Sequence, residues 1–276
     1  MNSKRILSVQ DISCLGQCSM TVALPILSVC GLETCILPTM VLSTHTGGLG
    51  TPHRRDLTED ILPIADHWHR QGIGFDGILV GYLGKTQQMQ PVVDISRRLL
   101  SPMGKLIVDP AMADHGKLYS GIGDDCVEEV KNLCRRADVI LPNLTEGYLL
   151  AGAPYEEKPS RQEIERLLEI LENRFGGTVL LTGVGFAPGE TGFALSDGGV
   201  TRFYHRPMVG GSYQGTGDMF AAVFAGAYLQ GKCAYEAAVL AAEFVAQVAR
   251  FTAREPAHAY GTRFEKALPW LAKQME

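Results

Sequence analysis

Short runs of apolar residues alternate with amphipathic helical stretches along most of this chain, and that alternation constrains the fold more than any other feature. Ile6–Val9, Thr34–Leu37, Gly77–Val80, Lys105–Val108, Val139–Leu141 and Thr178–Leu181 read as strands. Between them, Met20–Val29, Leu57–Gln71, Thr86–Leu100, Asp124–Arg136, a short segment at Thr145–Leu150 and Arg161–Phe175 read as helices. Strands joined through helices lie parallel, because a parallel pair needs a long crossover, and the crossovers cover both faces of the sheet. The pattern then changes. Thr191–Ser196 and Val200–His205 flank Asp197-Gly198-Gly199, a hairpin signal. Two long apolar helices follow, near Asp218–Gln230 and Tyr235–Arg250, with a last one near Phe264–Lys273. The expectation is a single α/β domain over residues 1–276: a three-layer αβα sandwich with a mainly parallel central sheet and an antiparallel hairpin near one edge. No repeat, low-complexity tract or linker interrupts it, and Glu156-Glu157-Lys158-Pro159 reads as a surface loop. In such a sheet the site belongs at the carboxyl ends of the strands.

Composition narrows the function classes. Hydrophobic residues make up 46% and charged residues 20%, a globular balance, and the net charge is −5. This charge argues against a general binder of nucleic acid or of an anionic membrane. Seven cysteines, an odd number without paired C-x-x-C clusters, read as free thiols in a reducing compartment, so a cytoplasmic location is expected. Ile12–Leu32 is 21 residues without a charge, long enough to span a bilayer, but Gly16, Gln17 and Pro25 break it. It reads as a loop and a buried helix. The N-terminus lacks a sustained apolar leader.

The most informative motif is Gly215-Thr216-Gly217-Asp218, a turn entering an apolar helix. Two glycines allow several N–H groups to converge, and the helix start adds unpaired donors and a positive dipole end. Such a nest suits a phosphate in transfer, and Asp218 at its lip could take a proton from an attacking hydroxyl. The alternative is an Asp capping a helix. Asp109-Pro110 follows one strand, and Pro142-Asn143-Leu144-Thr145-Glu146 follows the next. Asp109, Asn143 and Glu146 at neighbouring strand ends could hold Mg²⁺ and its waters against phosphate oxygens, or simply cap turns and a short helix. Gly84-Lys85-Thr86 resembles a nucleotide-binding loop, but Leu79 stands where that loop needs its first Gly. His67 and His69 are two apart on a helix and read as surface residues rather than a metal pair. Ser43-Thr44-His45-Thr46-Gly47-Gly48 could recognise a polar ring or be only a turn.

Taken together, Leu42–Gly47, Val80-Gly81-Tyr82, Val108–Asp114, Pro142–Glu146 and Gly215–Asp218 resemble the ribokinase-like superfamily, most closely its vitamin B6 kinase branch. The resemblance covers most of the chain. It implies ATP-dependent phosphorylation of the 5′-hydroxymethyl group of a B6 vitamer, with Asp218 as base and Gly215, Thr216 and Gly217 as anion hole. It implies that Asn143, Glu146 and Thr182 contact ATP, and that Asp109 and Glu146 serve Mg²⁺ and a monovalent cation such as K⁺. Thr46 and Tyr82 would contact the pyridine ring, and a homodimer is the family expectation. Two positions depart from the family pattern. Asp11-Ile12 stands where many relatives carry Ser-His, and Leu141 where many carry a Thr cation ligand. Asp11 is therefore expected to face the pyridine and favour a cationic vitamer such as pyridoxamine, which comparison of D11S on pyridoxamine and pyridoxal would test. Three rivals remain. A hydroxymethylpyrimidine kinase of thiamine synthesis would commonly carry Cys at position 218. A sugar kinase would show an early Gly-Gly signature and a lid. A non-catalytic vitamer-binding protein would bind without turnover.

Overall fold

The computed structural model describes residues 3–211, 213–255 and 260–276. The first half of the chain runs β1 (Arg5–Ser13), α1 (Met20–Val29), β2 (Glu33–Leu42), β3 (Arg54–Asp56), α2 (Thr58–Arg70), β4 (Phe75–Val80), α3 (Met89–Leu99) and β5 (Leu100–Val108). A two-strand ribbon follows, β6 (Ala113–Asp114) and β7 (Lys117–Leu118), then α4 (Asp124–Cys134), β8 (Val139–Ile140), α5 (Leu144–Ala151), α6 (Arg161–Phe175) and β9 (Thr178–Thr182). The chain closes with the hairpin β10 (Glu190–Asp197) and β11 (Val200–Pro207), then α7 (Thr216–Leu229), α8 (Ala234–Ala253) and α9 (Leu268–Met275).

Nine strands form one sheet in the order β11-β10-β9-β8-β5-β4-β1-β2-β3. The six from β9 to β2 are mutually parallel, while at one edge β10 runs antiparallel to both β9 and β11, and at the other β3 runs antiparallel to β2. The strands read as unbroken apolar runs because both faces are covered. Leu7, Val9, Ile78, Val80, Leu106, Val108, Ile140, Val179 and Leu181 pack with buried residues of α2 through α6. The alternate positions Ile6, Leu79, Ile107, Val139, Leu141 and Leu180 pack with α1, α7, α8 and α9. The period of two along each strand therefore sorts side chains between two separate cores. This is the ribokinase-like αβα arrangement expected from the sequence.

Boundaries shifted where pairing outran the hydrophobic signal. The predicted helix Thr86–Leu100 begins as a 3-10 turn at Thr86–Gln88, and Leu100 already belongs to β5, paired with Phe75. The predicted strand Lys105–Val108 thus gains five residues at its start. The three residues of β3 are all exposed and carry no apolar pattern, so their antiparallel pairing with Met40–Leu42 alone defines them. The uncharged stretch Ile12–Leu32 resolves into the end of β1, a loop and ten-residue α1. Among the described residues no helix is long and apolar enough to cross a membrane. All seven cysteines are free thiols.

Candidate active site

The parallel ladder continues to and beyond the carboxyl ends of the strands. Gly81 N–H donates to Val9 O at 3.0 Å, Asp109 N–H to Val80 O at 2.9 Å, Leu141 N–H to Val108 O at 2.9 Å and Thr182 N–H to Pro142 O at 2.9 Å. The first three bonds fix the residue just past a strand end and the fourth holds Thr182, the last residue of β9, so Asp109 and Thr182 are placed by backbone pairing and Asn143 by its bridge to Thr182. A Cβ at Gly81 would lie 2.4 Å from Gln10 Oε1, so a larger residue there would displace the Gln10 side chain.

Asn143 and Glu146 form a capping box at the start of α5. Glu146 N–H donates to Asn143 Oδ1 at 3.0 Å, and Asn143 N–H donates to Glu146 Oε2 at 2.9 Å. Asn143 Nδ2 also donates to Ala113 O at 2.7 Å. Glu146 Oε1 accepts from Met112 N–H at 2.8 Å and Ala113 N–H at 3.2 Å. The capping alternative read from the sequence is thus realised at both residues, and Glu146, 1% exposed, also anchors the segment that follows Asp109. Asp109 Oδ1 accepts from Ala111 N–H at 3.2 Å. Burial raises the carboxyl pKa of both Asp109 and Glu146, and at Asp109 the nearby Glu146 charge adds to it. A divalent cation would relieve that cost, and an oxygen donor set of this kind suits Mg²⁺, which takes few protein ligands alongside phosphates and water.

Gly215 begins α7 with φ 81°. A Cβ there would stand 2.0 Å from Gln17 O, so the turn is pressed onto the loop that precedes α1. Gly215 O accepts the first helical bond, from Met219 N–H at 3.0 Å. The N–H groups of Thr216, Gly217 and Asp218 have no intrahelical acceptor and face the helix start. Thr216 Oγ1 donates to Tyr213 O at 3.0 Å, and nothing lies within 4 Å of a Cβ position on Gly217. The turn is therefore braced on one side and open on the other, which suits an approaching anion. Asp218 receives the backbone N–H of Ser19, yet burial, and then the charge of Asp109, push its carboxyl up to about 7. A carboxylate of that basicity can accept a proton near neutral pH.

The other expected residues differ in burial and in what holds them. Asp11 is 2% exposed, and its carboxylate accepts from Ser13 Oγ at 3.0 Å, with the Ser19 hydroxyl beside it. Tyr82 is half-buried and Thr46 exposed. Thr46 belongs to a loop clamped by His45. His45 Nδ1 accepts from Gly47 N–H at 3.1 Å, which leaves Nε2 to donate to Tyr260 O at 3.0 Å. The His45 ring also fills the space a Cβ on Gly16 would need. The histidine loop is thereby tied both to the loop before α1 and to the chain after α8. Leu141 is 3% exposed in the apolar core and offers no cation ligand.

Two residues near the site escaped sequence reading. Ser19 lies against Asp218 and Asp11 together, and Tyr119, an exposed residue after the β6–β7 ribbon, stands within the field of Glu146, Asp114, Asp109 and Asp218. Neither lies in a motif, so only their positions in space identify them.

A family model described as phosphomethylpyrimidine kinase matches residues 44–262. A solved structure of pyridoxal kinase from Lactobacillus plantarum is 32% identical, covers 99% of this chain and 98% of its own, and superposes with a TM-score of 0.91. A Bacteroides thetaiotaomicron protein crystallised with pyridoxal is 33% identical, with a TM-score of 0.92 over 98% of this chain and 96% of its own. A pyridoxine/pyridoxal/pyridoxamine kinase from Bordetella avium is 27% identical over 258 residues, 88% of this chain and 83% of that one.

Proposed function

The chain belongs to the phosphomethylpyrimidine kinase family, and we propose that its reaction is transfer of the γ-phosphoryl group of ATP to the 5′-hydroxymethyl group of a vitamin B6 vitamer. The observation that carries this reading is the Asp218 carboxyl at the lip of an anion-binding helix start, beside Asp109. The vitamer hydroxyl oxygen bonds to the γ-phosphorus, the bond from phosphorus to the β–γ bridging oxygen breaks, and ADP leaves. The hydroxyl proton goes to Asp218. The N–H groups of Gly215–Gly217 and the α7 dipole meet the charge of the transferring group. Asn143 and Thr182 border the phosphates, and Thr46 and Tyr82 border the ring.

Asp109, with Glu146 behind it, would hold Mg²⁺, which neutralises phosphate charge when bound. A monovalent cation such as K⁺ has no side-chain ligand at Leu141, so any such site must use other oxygens. A cytoplasmic homodimer completes the reading, and sedimentation of the purified chain tests the dimer.

The family description favours one rival, a hydroxymethylpyrimidine or its phosphate as acceptor. Coupled ADP release with Mg-ATP and K⁺ on pyridoxal, pyridoxamine, pyridoxine and hydroxymethylpyrimidine separates the two. Turnover on a B6 vitamer that is lost in Asp218→Ala supports the proposal. Turnover on the pyrimidine alone transfers the protein to the rival, and tight vitamer binding without turnover on any acceptor makes it a binding protein.

A further inference from the structure

Ser19 holds a backbone conformation that residues with a side chain avoid, with φ 50° and ψ −129°. Among the described residues the only other non-glycine at positive φ is His115, in an exposed turn. Ser19 is different: it is 5% exposed and stands where β1, α1 and α7 meet. Its hydroxyl lies against the Asp11 carboxylate, which accepts from Ser13 Oγ at 3.0 Å, and its backbone N–H lies against the Asp218 carboxylate. The preceding residues press on the anion turn, with Gln17 O 2.0 Å and Cys18 Cα 3.2 Å from a Cβ placed on Gly215. Residues 17–19 and the start of α7 are therefore one packed unit, and a strained serine sits at its centre.

We propose that Ser19 is a positioning residue for phosphoryl transfer and that Asp11 is its anchor. Asp11 fixes the Ser19 hydroxyl, the fixed side chain keeps the backbone turned, and the turned backbone aims its N–H at Asp218. One carboxylate oxygen of Asp218 is thereby held, which sets the direction in which the other meets the substrate hydroxyl. Misplacement of a reacting group by about 1 Å can cost about a hundredfold in rate, so this orientation has kinetic weight. Asp11 then acts through Ser19 and not by touching the pyridine ring. The inference rests on the reading of Asp218 as the base.

The test is a set of variants assayed for kcat and both KM values, each with its melting temperature measured. S19A removes the hydroxyl but keeps the Cβ that resists positive φ, so the N–H swings away from Asp218. Its kcat should fall about tenfold with KM for ATP and vitamer almost unchanged. S19G also lacks the hydroxyl, but glycine holds positive φ unaided, so its kcat should stay within about threefold of the parent chain. D11A should lower kcat about tenfold alone and have little effect in the S19G background, a strong non-additivity. An equal D11A effect in both backgrounds, or an S19A variant that changes only KM, overturns the proposal. If D11A does not fold, S19A against S19G still decides. D218N is assayed in parallel: retained turnover there removes Asp218 as base, a failure distinct from that of the Ser19 contact.

Discussion

Asp218 at the head of α7 lies within the field of Asp109 at the end of β5, and that charge is second only to burial in raising its carboxyl pKa. One carboxylate is the proposed base and the other the proposed metal ligand. Their closeness makes the site basic when empty and sensitive to any cation that enters.

The activity of the free enzyme should follow this basicity. Asp218 must be ionised to accept a proton, and its carboxyl is pushed up to about 7. Log kcat/KM should therefore rise with unit slope as pH increases toward about 7 and level off above it. A profile flat between pH 5 and 8 would show that another group takes the proton.

Stability should run the opposite way. A carboxyl raised from 3.8 to about 7 on folding favours the folded state most at acid pH, and this contribution is lost as pH rises through about 7. The cost of the buried charge at pH 8 is at most about 4 kcal/mol. Asp218→Asn should therefore raise the melting temperature of the ligand-free protein, more at pH 8 than at pH 5. Equal gains at both pH values would contradict the linkage.

Gly215→Ala should damage both fold and activity. It combines a φ of 81° with a Cβ 2.0 Å from Gln17 O, a backbone atom that cannot rotate away. We expect a loss of at least about 1–3 kcal/mol in urea unfolding, together with a tenfold or greater drop in kcat. An active, fully stable variant would mean that the loop before α1 yields freely.

Glu146→Ala leaves three backbone N–H groups, of Met112, Ala113 and Asn143, without their acceptor. Each such loss costs about 1–3 kcal/mol when the group stays buried. Chemical denaturation should show a loss above about 2 kcal/mol even without Mg²⁺ or ATP. A variant destabilised only in the presence of Mg-ATP would make Glu146 chiefly a ligand-binding residue.

Much of this molecule is written locally. The turn Gly198–Gly199, the span Arg161–Phe175 and the helix Met20–Val29 follow from periodicity and turn chemistry alone. So does the parallel character of the sheet, because two covered faces demand continuous hydrophobicity, whereas the order of its strands does not. Gly-Thr-Gly-Asp, Asp109 and the Asn143–Glu146 pair could be named from sequence because each sits at a strand end or helix start, where a few adjacent residues define the chemistry.

Tertiary structure decided what those residues touch. Asp11 reads from the sequence as facing a ligand; the fold buries it, with Ser13 Oγ donating to it and Ser19 beside it, and no spacing announces that contact between a strand end and a helix cap. The strand β3, the ribbon of β6 and β7, and Tyr119 carry no hydrophobic pattern; long-range pairing and proximity alone define them. Hydrophobic periodicity records which side of an element is buried, and that is a property of neighbours in sequence. The basicity of Asp218 depends on charges and donors delivered by β1, β5 and the loop before α1, and only the closed sheet brings these together.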